Sequence, residues 1–222
     1  MFIGHYSAAF VAATSPRAPR LGTLFVAAQL VDLAFFSFVL LGIEHMRLVP
    51  HITAMNPMDL YDMPWTHSLA GAIGWAAGFG AAIWLARRSL TAAAIGGAVV
   101  LSHWLIDLLV HRPDLTLAGG PPPFGLGLWN HPAIEIPLEL AFAFGGLAFF
   151  VGRTRATAPR AWLPVAALAT VMAVAQAVNW LSAQPTAVID PPPASLAISG
   201  LAAYVVLATL AWWVSRAREI KA

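Results

Sequence analysis

His103, Asp107 and His111 stand four residues apart in the stretch Ser102-His103-Trp104-Leu105-Ile106-Asp107-Leu108-Leu109-Val110-His111. On a helix that spacing stacks imidazole, carboxylate and imidazole along one face. His131 and Glu135 repeat the spacing at the head of the next apolar segment, and Glu139 extends that stripe by a further turn. Neutral imidazole and ionised carboxylate are the ligands that zinc and similar divalent ions take where thiolate is missing. The chain has no cysteine, which excludes both disulfides and thiolate sites. His5, Asp32 and His67 lie in or at the ends of other apolar segments and complete the candidate ligand set.

Each of these residues also has a plainer use. His103, Asp107 and His111 could form a buried polar network that joins helices without metal. His131 and Glu135 also suit a helix start, with Asn130 as cap, Pro132 in the first turn and Glu135 at the positive end of the dipole. In that case Glu139, which is deeper, is the acidic partner of its helix. His45 and His51 fall in a polar loop and are expected to be solvated.

The elements that would hold these groups are membrane spans. Of the 222 residues 59% are hydrophobic and only 10% charged, against about 25% charged in a soluble domain; the mean hydropathy is +0.75. Six candidate spans follow, Gly22 to Ile43, His67 to Ala86, Thr91 to Val110, Pro132 to Gly152, Ala161 to Ala183 and Ser195 to Val214, each about 20 residues or slightly more, enough to cross a bilayer. Proline- and glycine-rich breaks at 119–123 and 190–193 cannot continue a helix. Met1 to Ala13 is too short to cross and lacks the basic start of a cleaved signal, so an interfacial or re-entrant helix is expected there. The fold class is therefore all-α: a polytopic transmembrane bundle forming a single integral membrane domain over 1–222, with a metal-site core in 1–152 and two structural spans in 161–222. No internal repeat is visible. Gly71, Gly74, Gly78 and Gly80 are read as close-packing positions, with Gly74 and Gly78 at GxxxG spacing, and Trp65, Trp129, Trp180, Trp212 and Trp213 as interfacial anchors.

Arg17, Arg20, Arg87, Arg88, Arg153, Arg155, Arg160, Arg216, Arg218 and Lys221 fall on one side of this arrangement, and only Arg47 and Arg112 on the other. The positive-inside rule then places both termini in the cytoplasm and loops 44–66, 111–131 and 184–194 outside. No basic patch points to nucleic acid. Counting about 1.5 Å of rise per residue puts Asp32 roughly 15 Å and His103 roughly 18 Å from the cytoplasmic end, with a re-entrant His5 at about the same level. His67, His111 and His131 come near the outer boundary. The four acids within spans, Asp32, Asp107, Glu135 and Glu139, would each cost about 2.5–3.5 kcal/mol at a helix centre unless compensated.

The stretches Ile3-Gly4-His5-Tyr6, Gln29-Leu30-Val31-Asp32, Trp65-Thr66-His67-Ser68-Leu69 and Leu101-Ser102-His103-Trp104-Leu105-Ile106-Asp107 resemble, in order, the motifs of the YdjM-like family, inner-membrane proteins described as metal-dependent hydrolases. The resemblance covers roughly residues 1 to 140. The order is also similar to the ligand order of the zinc-dependent phospholipase C and single-strand nuclease superfamily. That likeness implies Asp32, His67, His103 and Asp107 around a first ion, with Asp107 bridging to a second near His5, and His111, His131 and Glu135 around a third. Ala34 stands where the YdjM-like pattern often has a second acid, and Asp62-Met63 where it has His-Arg, leaving Asp62 as a substitute ligand. The superfamily's amino-terminal ligand is not expected, since Met1 is four residues from His5.

The function expected is metal-dependent hydrolysis at the extracytoplasmic side of a bacterial-type inner membrane, with zinc, or else manganese or iron, as the ion. Asp107 and Arg112 are the candidate catalytic residues, Arg112 as a bidentate phosphate clamp. A membrane phospholipid or another amphiphilic phosphoester is the expected substrate and partner. A divalent-cation transporter and a non-catalytic membrane scaffold are the alternatives.

Overall fold

The structure is a computed structural model that describes residues 1–221. Five helices are each long and apolar enough to cross a membrane: α4 (Leu69–Arg87), α5 (Leu90–Val110), α6 (Pro132–Arg153), α7 (Trp162–Leu181) and α8 (Ala194–Ala217). A sixth candidate span is the bent pair α2 (Leu21–Ala28) and α3 (Leu30–Leu41), which meet at 52°. Ahead of them a 3-10 turn (Ile3–His5) leads into α1 (Tyr6–Ala12). The bundle has the character of an integral membrane protein, all-α among the described residues but for two short two-stranded sheets. A hairpin pairs β1 (His45–Leu48) with β2 (Met58–Asp62), and β3 (Thr154–Ala156) pairs antiparallel with β4 (Arg218–Ile220) across the intervening α7 and α8. Neither was expected from the sequence.

Local chemistry sets the boundaries. Ser68 and Ser89 cap α4 and α5, their hydroxyls accepting from the Gly71 and Ala92 amides, and Pro132 occupies the first turn of α6. Gly42, in the left-handed region at φ 67°, ends α3. The break at Gln29 has no proline or glycine to announce it. Irregular backbone at membrane depth must have its polar groups satisfied: the Ala28 carbonyl takes a hydrogen bond from His103, and the buried Gln29 side-chain Nε2 donates to the Phe2 carbonyl at 2.8 Å, tying the break to the amino-terminal turn.

The amino-terminal segment is buried. Met1, Ile3, His5, Tyr6 and Phe10 are enclosed, with α1 packed between α2, α5 and α6. The approach to α6 is close enough that a Cβ on Gly146 would sit 3.0 Å from the Ser7 Cα. This is the re-entrant arrangement, and it brings His5 into the interior. Around it, Phe10, Leu24, Phe25, Leu168, Met172 and Leu207 form an apolar core toward the arginine-rich end. Met46, Leu60, Met63, Trp104 and Leu115 form a second core under the β1–β2 hairpin at the opposite end. The GxxxG reading does not hold. Gly74 and Gly78 face open space, and it is Gly80 and Gly97 that let α4 and α5 approach, against the Ala93 and Ala76 carbonyls.

Candidate metal centre

Asp107 is the hub of the buried polar groups. Its Oδ1 lies 3.0 Å from His5 Nε2 and 3.6 Å from His111 Nε2, and its Oδ2 lies 3.0 Å from His103 Nε2 and 3.8 Å from His67 Nε2. Asp32 Oδ1 stands opposite, 3.4 Å from His67 Nε2 and 3.5 Å from His103 Nε2. Three overlapping triads result, His5-His103-Asp107, Asp32-His67-His103 and His67-Asp107-His111, within each of which one atom per residue lies within 4.8 Å of the others. Four elements supply them: the amino-terminal turn, the start of α3 at the helix break, the residue preceding the cap of α4, and the last two turns of α5 with the residue that follows.

Three of the imidazoles are oriented from behind. His103 Nδ1 is 2.8 Å from the Ala28 carbonyl, which can only accept, so Nδ1 carries a proton and, in the neutral imidazole, Nε2 carries the lone pair. His111 Nδ1 is held in the same way by Asp114 Oδ1 at 2.8 Å. His67 Nδ1 meets Thr66 Oγ1 at 2.9 Å, and that hydroxyl donates to Glu44 Oε2 at 2.6 Å, so its oxygen accepts from the imidazole. All three Nε2 lone pairs are thereby turned toward the two carboxylates. His5 stacks flat on His103, ring centroids 3.8 Å apart.

A test of fit to a cation follows. A lone pair 3.0 Å from a carboxylate oxygen is repulsive unless a positive charge lies between them. His103 Nε2 and His5 Nε2 stand at that distance from Asp107 yet make no hydrogen bond, because their directions do not aim at its oxygens. Ligands about 2.0–2.1 Å from a tetrahedral ion stand roughly 3.3 Å apart, and the imidazole–carboxylate separations here run from 3.0 to 3.8 Å. The donors therefore converge on shared points as ligands do. Replacing Thr66 by valine, which keeps the shape and frees His67 Nδ1, is expected to weaken metal affinity by about 10–100-fold. Competition with a chelator measures it; the metal-free protein should also lose about 1–3 kcal/mol of stability, because Glu44 Oε2 and His67 Nδ1 each lose a buried partner.

His5, Asp32, His67, His103, Asp107 and His111 thus come together, and the rest of the expected set does not join them. His131 is exposed and belongs to none of the triads. Glu139 is buried and anchors the amino-terminal turn: its Oε1 accepts from the Phe2 amide at 2.6 Å and the Gly4 amide at 3.1 Å, and its Oε2 from Gln176 Nε2 at 3.2 Å. Glu135, 1% exposed, has neither of its oxygens hydrogen-bonded and belongs to no triad; it stands in the first turn of α6, as the helix-start reading has it, although the N-cap position is His131 and not Asn130. Arg112 is not free to clamp a phosphate, because it pairs with Asp59 and lies 3.3 Å from Asp114 Oδ2. Asp59 also accepts from Arg47, a hydrogen bond that raises the pKa of that guanidinium further above its ordinary value. Asp62 pairs with His45 at 2.7 Å on the hairpin, away from the ligands. The Met1 nitrogen, not expected among these groups, lies 3.1 Å from Asp107 Oδ1.

Several participants escaped the sequence reading. Glu44, fully buried, accepts from the Trp65 and Thr66 amides as well as from the Thr66 hydroxyl. Tyr204 donates to Asp32 Oδ2 at 2.8 Å, and Gln176 holds Glu139, so the last two spans contribute to the centre as well as enclosing it. Trp129 packs its ring 4.3 Å from that of His111 rather than serving as an anchor.

A cavity of about 350 Å³ adjoins the centre. Asp32, His67, Asp107, His111, Glu135 and Glu139 line its polar end, and Phe35, Phe36, Met58, Trp129 and Leu196 are among its apolar walls. The arrangement can hold divalent cations beside a partly apolar space that a molecule with a charged head could fill. No model of a known protein family matches the chain, and no curated protein or solved structure matches it either.

Proposed function

We propose that the chain is a metal-dependent phosphoester hydrolase of a bacterial-type inner membrane, acting from the extracytoplasmic side on a phospholipid or another amphiphilic phosphoester. The observation that carries the reading is the convergence of four imidazoles and two carboxylates on shared points at the polar end of a cavity with apolar walls. Zinc suits the nitrogen-rich set best, with manganese or iron as alternatives. A divalent ion held there would polarise a phosphoryl oxygen and lower the pKa of water toward neutrality.

The residues divide the remaining work. Asp107, with one oxygen toward His5 and the other toward His103, is placed to bridge two cations. Tyr204 fixes the Asp32 carboxylate from α8. Glu135 lines the same cavity with its oxygens unpartnered, so it can hold the proton that an attacking water loses or a leaving oxygen gains. The orientation follows the distribution of arginine, ten basic residues at one end against two at the other.

Transport is less well supported. A cation path needs polar groups on both sides of the binding site, whereas Phe10, Leu24, Phe25, Met172 and Leu207 close the bundle on the arginine-rich side. Metal analysis of the purified protein should find at least one zinc, manganese or iron per chain. Chelation should abolish hydrolysis of a phospholipid in mixed micelles, and added zinc should restore it. Absence of stoichiometric metal would overturn the reading; chelator-sensitive metal flux into proteoliposomes without hydrolysis would replace it with transport.

A further inference from the structure

Helices α7 and α8 are joined over only part of their length. Toward the arginine-rich end Leu168 and Met172 of α7 share an apolar core with Leu207 and Ala211 of α8. Toward the other end, no described residue of α7 beyond Gln176 is buried, and Ala197 is the single buried residue of α8 before Tyr204. The cavity beside the metal centre occupies this separation: Val178 and Asn179 line it from α7, Ser199, Gly200 and Ala203 from α8. Small side chains keep it open. A Cβ on Gly200 would already approach the Phe36 ring to 3.1 Å.

We propose that the separation between these half-helices is a lateral slot through which the acyl chain of a phospholipid lies in the protein while its phosphate reaches the metal centre. The inference rests on the phosphoesterase reading for the identity of the head and adds the path of the tail. Three observations favour this occupant. The cavity is continuous from the carboxylates and imidazoles to the walls of α7 and α8, so head and tail fit one space. Its polar end would hold cations, which attract a phosphate. The flanking faces are those of lipid-immersed helices, with Val178 63% and Ile198 56% exposed, so an acyl chain enters without crossing water.

The chain contains no cysteine, so single thiols can be placed in the slot without background. Val178→Cys and Ser199→Cys, each loaded with zinc, are modified with benzyl methanethiosulfonate and then reduced. Modification should lower hydrolysis of a long-chain phosphatidylglycerol at least tenfold and change hydrolysis of bis(p-nitrophenyl) phosphate less than twofold, with full recovery on reduction. Equal loss on both substrates, or no loss on either, overturns the slot. A second readout needs no turnover: in detergent, long-chain phosphatidylglycerol should slow modification of both thiols at least threefold relative to glycerol phosphate. Protection without hydrolysis of either substrate would keep the slot and overturn the phosphoesterase reading, whereas hydrolysis without protection would do the reverse.

Discussion

Asp107→Asn should empty the metal centre and lower hydrolysis by more than about 100-fold, the upper limit for outer partners of a ligand. Asparagine keeps the shape of the side chain, and its Oδ1 can still accept from the Met1 nitrogen. Its Nδ2, in place of Oδ2, would face His103 Nε2 at about 3.0 Å. An amide N–H there removes the negative charge that faces four imidazoles and the buried Met1 nitrogen. The charge needed to hold a cation is gone, and the Met1 ammonium loses its counter-charge, so a loss of stability accompanies the loss of metal. The polar-network alternative predicts the loss of stability with no change in metal content. There His103 would be an imidazolium paired with the Asp107 carboxylate, and removing one partner of a buried pair costs about 3–5 kcal/mol. Metal content and the unfolding midpoint of chelated Asp107→Asn, measured side by side, decide between them; a large drop in the midpoint with metal binding unchanged would rule out the metal centre.

The part of this centre that could be read in the sequence is the part set by local geometry. Fourfold spacing along a helix fixes the relative placement of His103, Asp107 and His111 wherever that helix lies. Rise per residue from charged loop ends then brings Asp32 and His103 to one depth. Hydrophobic length gave the spans to within a few residues, Ser195 to Val214 against the observed Ala194–Ala217. What the sequence could not show are partners chosen by tertiary approach. Tyr204 and Gln176 are isolated polar groups in otherwise apolar helices, and only the packing of α8 against α3 and of α7 beside the amino-terminal turn tells which carboxylate each meets. Glu44 looks like any loop acid until the chain folds back to place Thr66 on it. The break at Gln29 is hidden for a related reason: Ala27-Ala28-Gln29-Leu30 is ordinary helix former, and the bend is held by His103 on the Ala28 carbonyl and by the Gln29 side chain on the Phe2 carbonyl. Glu139 shared the helical stripe of Glu135 and so was read as a ligand, although its oxygens are occupied by backbone amides.

That last assignment makes a separate, large prediction. Glu139→Ala leaves the Phe2 and Gly4 amides without an acceptor in the interior, at about 1–3 kcal/mol for each buried donor orphaned, and releases Gln176 as well. A loss of about 3 kcal/mol or more is expected in the stability of the metal-free protein. The damage should be directed. The amino-terminal turn is held between Glu139 and Gln176, which accepts from the Ile3 amide at 3.4 Å, so freeing it withdraws His5 from Asp107 while Asp32, His67, His103 and His111 stay on their own elements. Metal bound by the His5-His103-Asp107 triad should be lost before the rest. Glu139→Gln separates anchoring from ligation, because its Oε1 still accepts from both amides, although its Nε2 then meets the Gln176 Nε2 donor and that hydrogen bond is lost. Metal content close to the parent protein and most of its stability are expected for Gln, and loss of both for Ala. If Glu139 were itself a ligand, Gln would lose metal as Ala does while keeping most of the stability, and limited proteolysis of the first twenty or so residues would no longer follow metal content across the two variants.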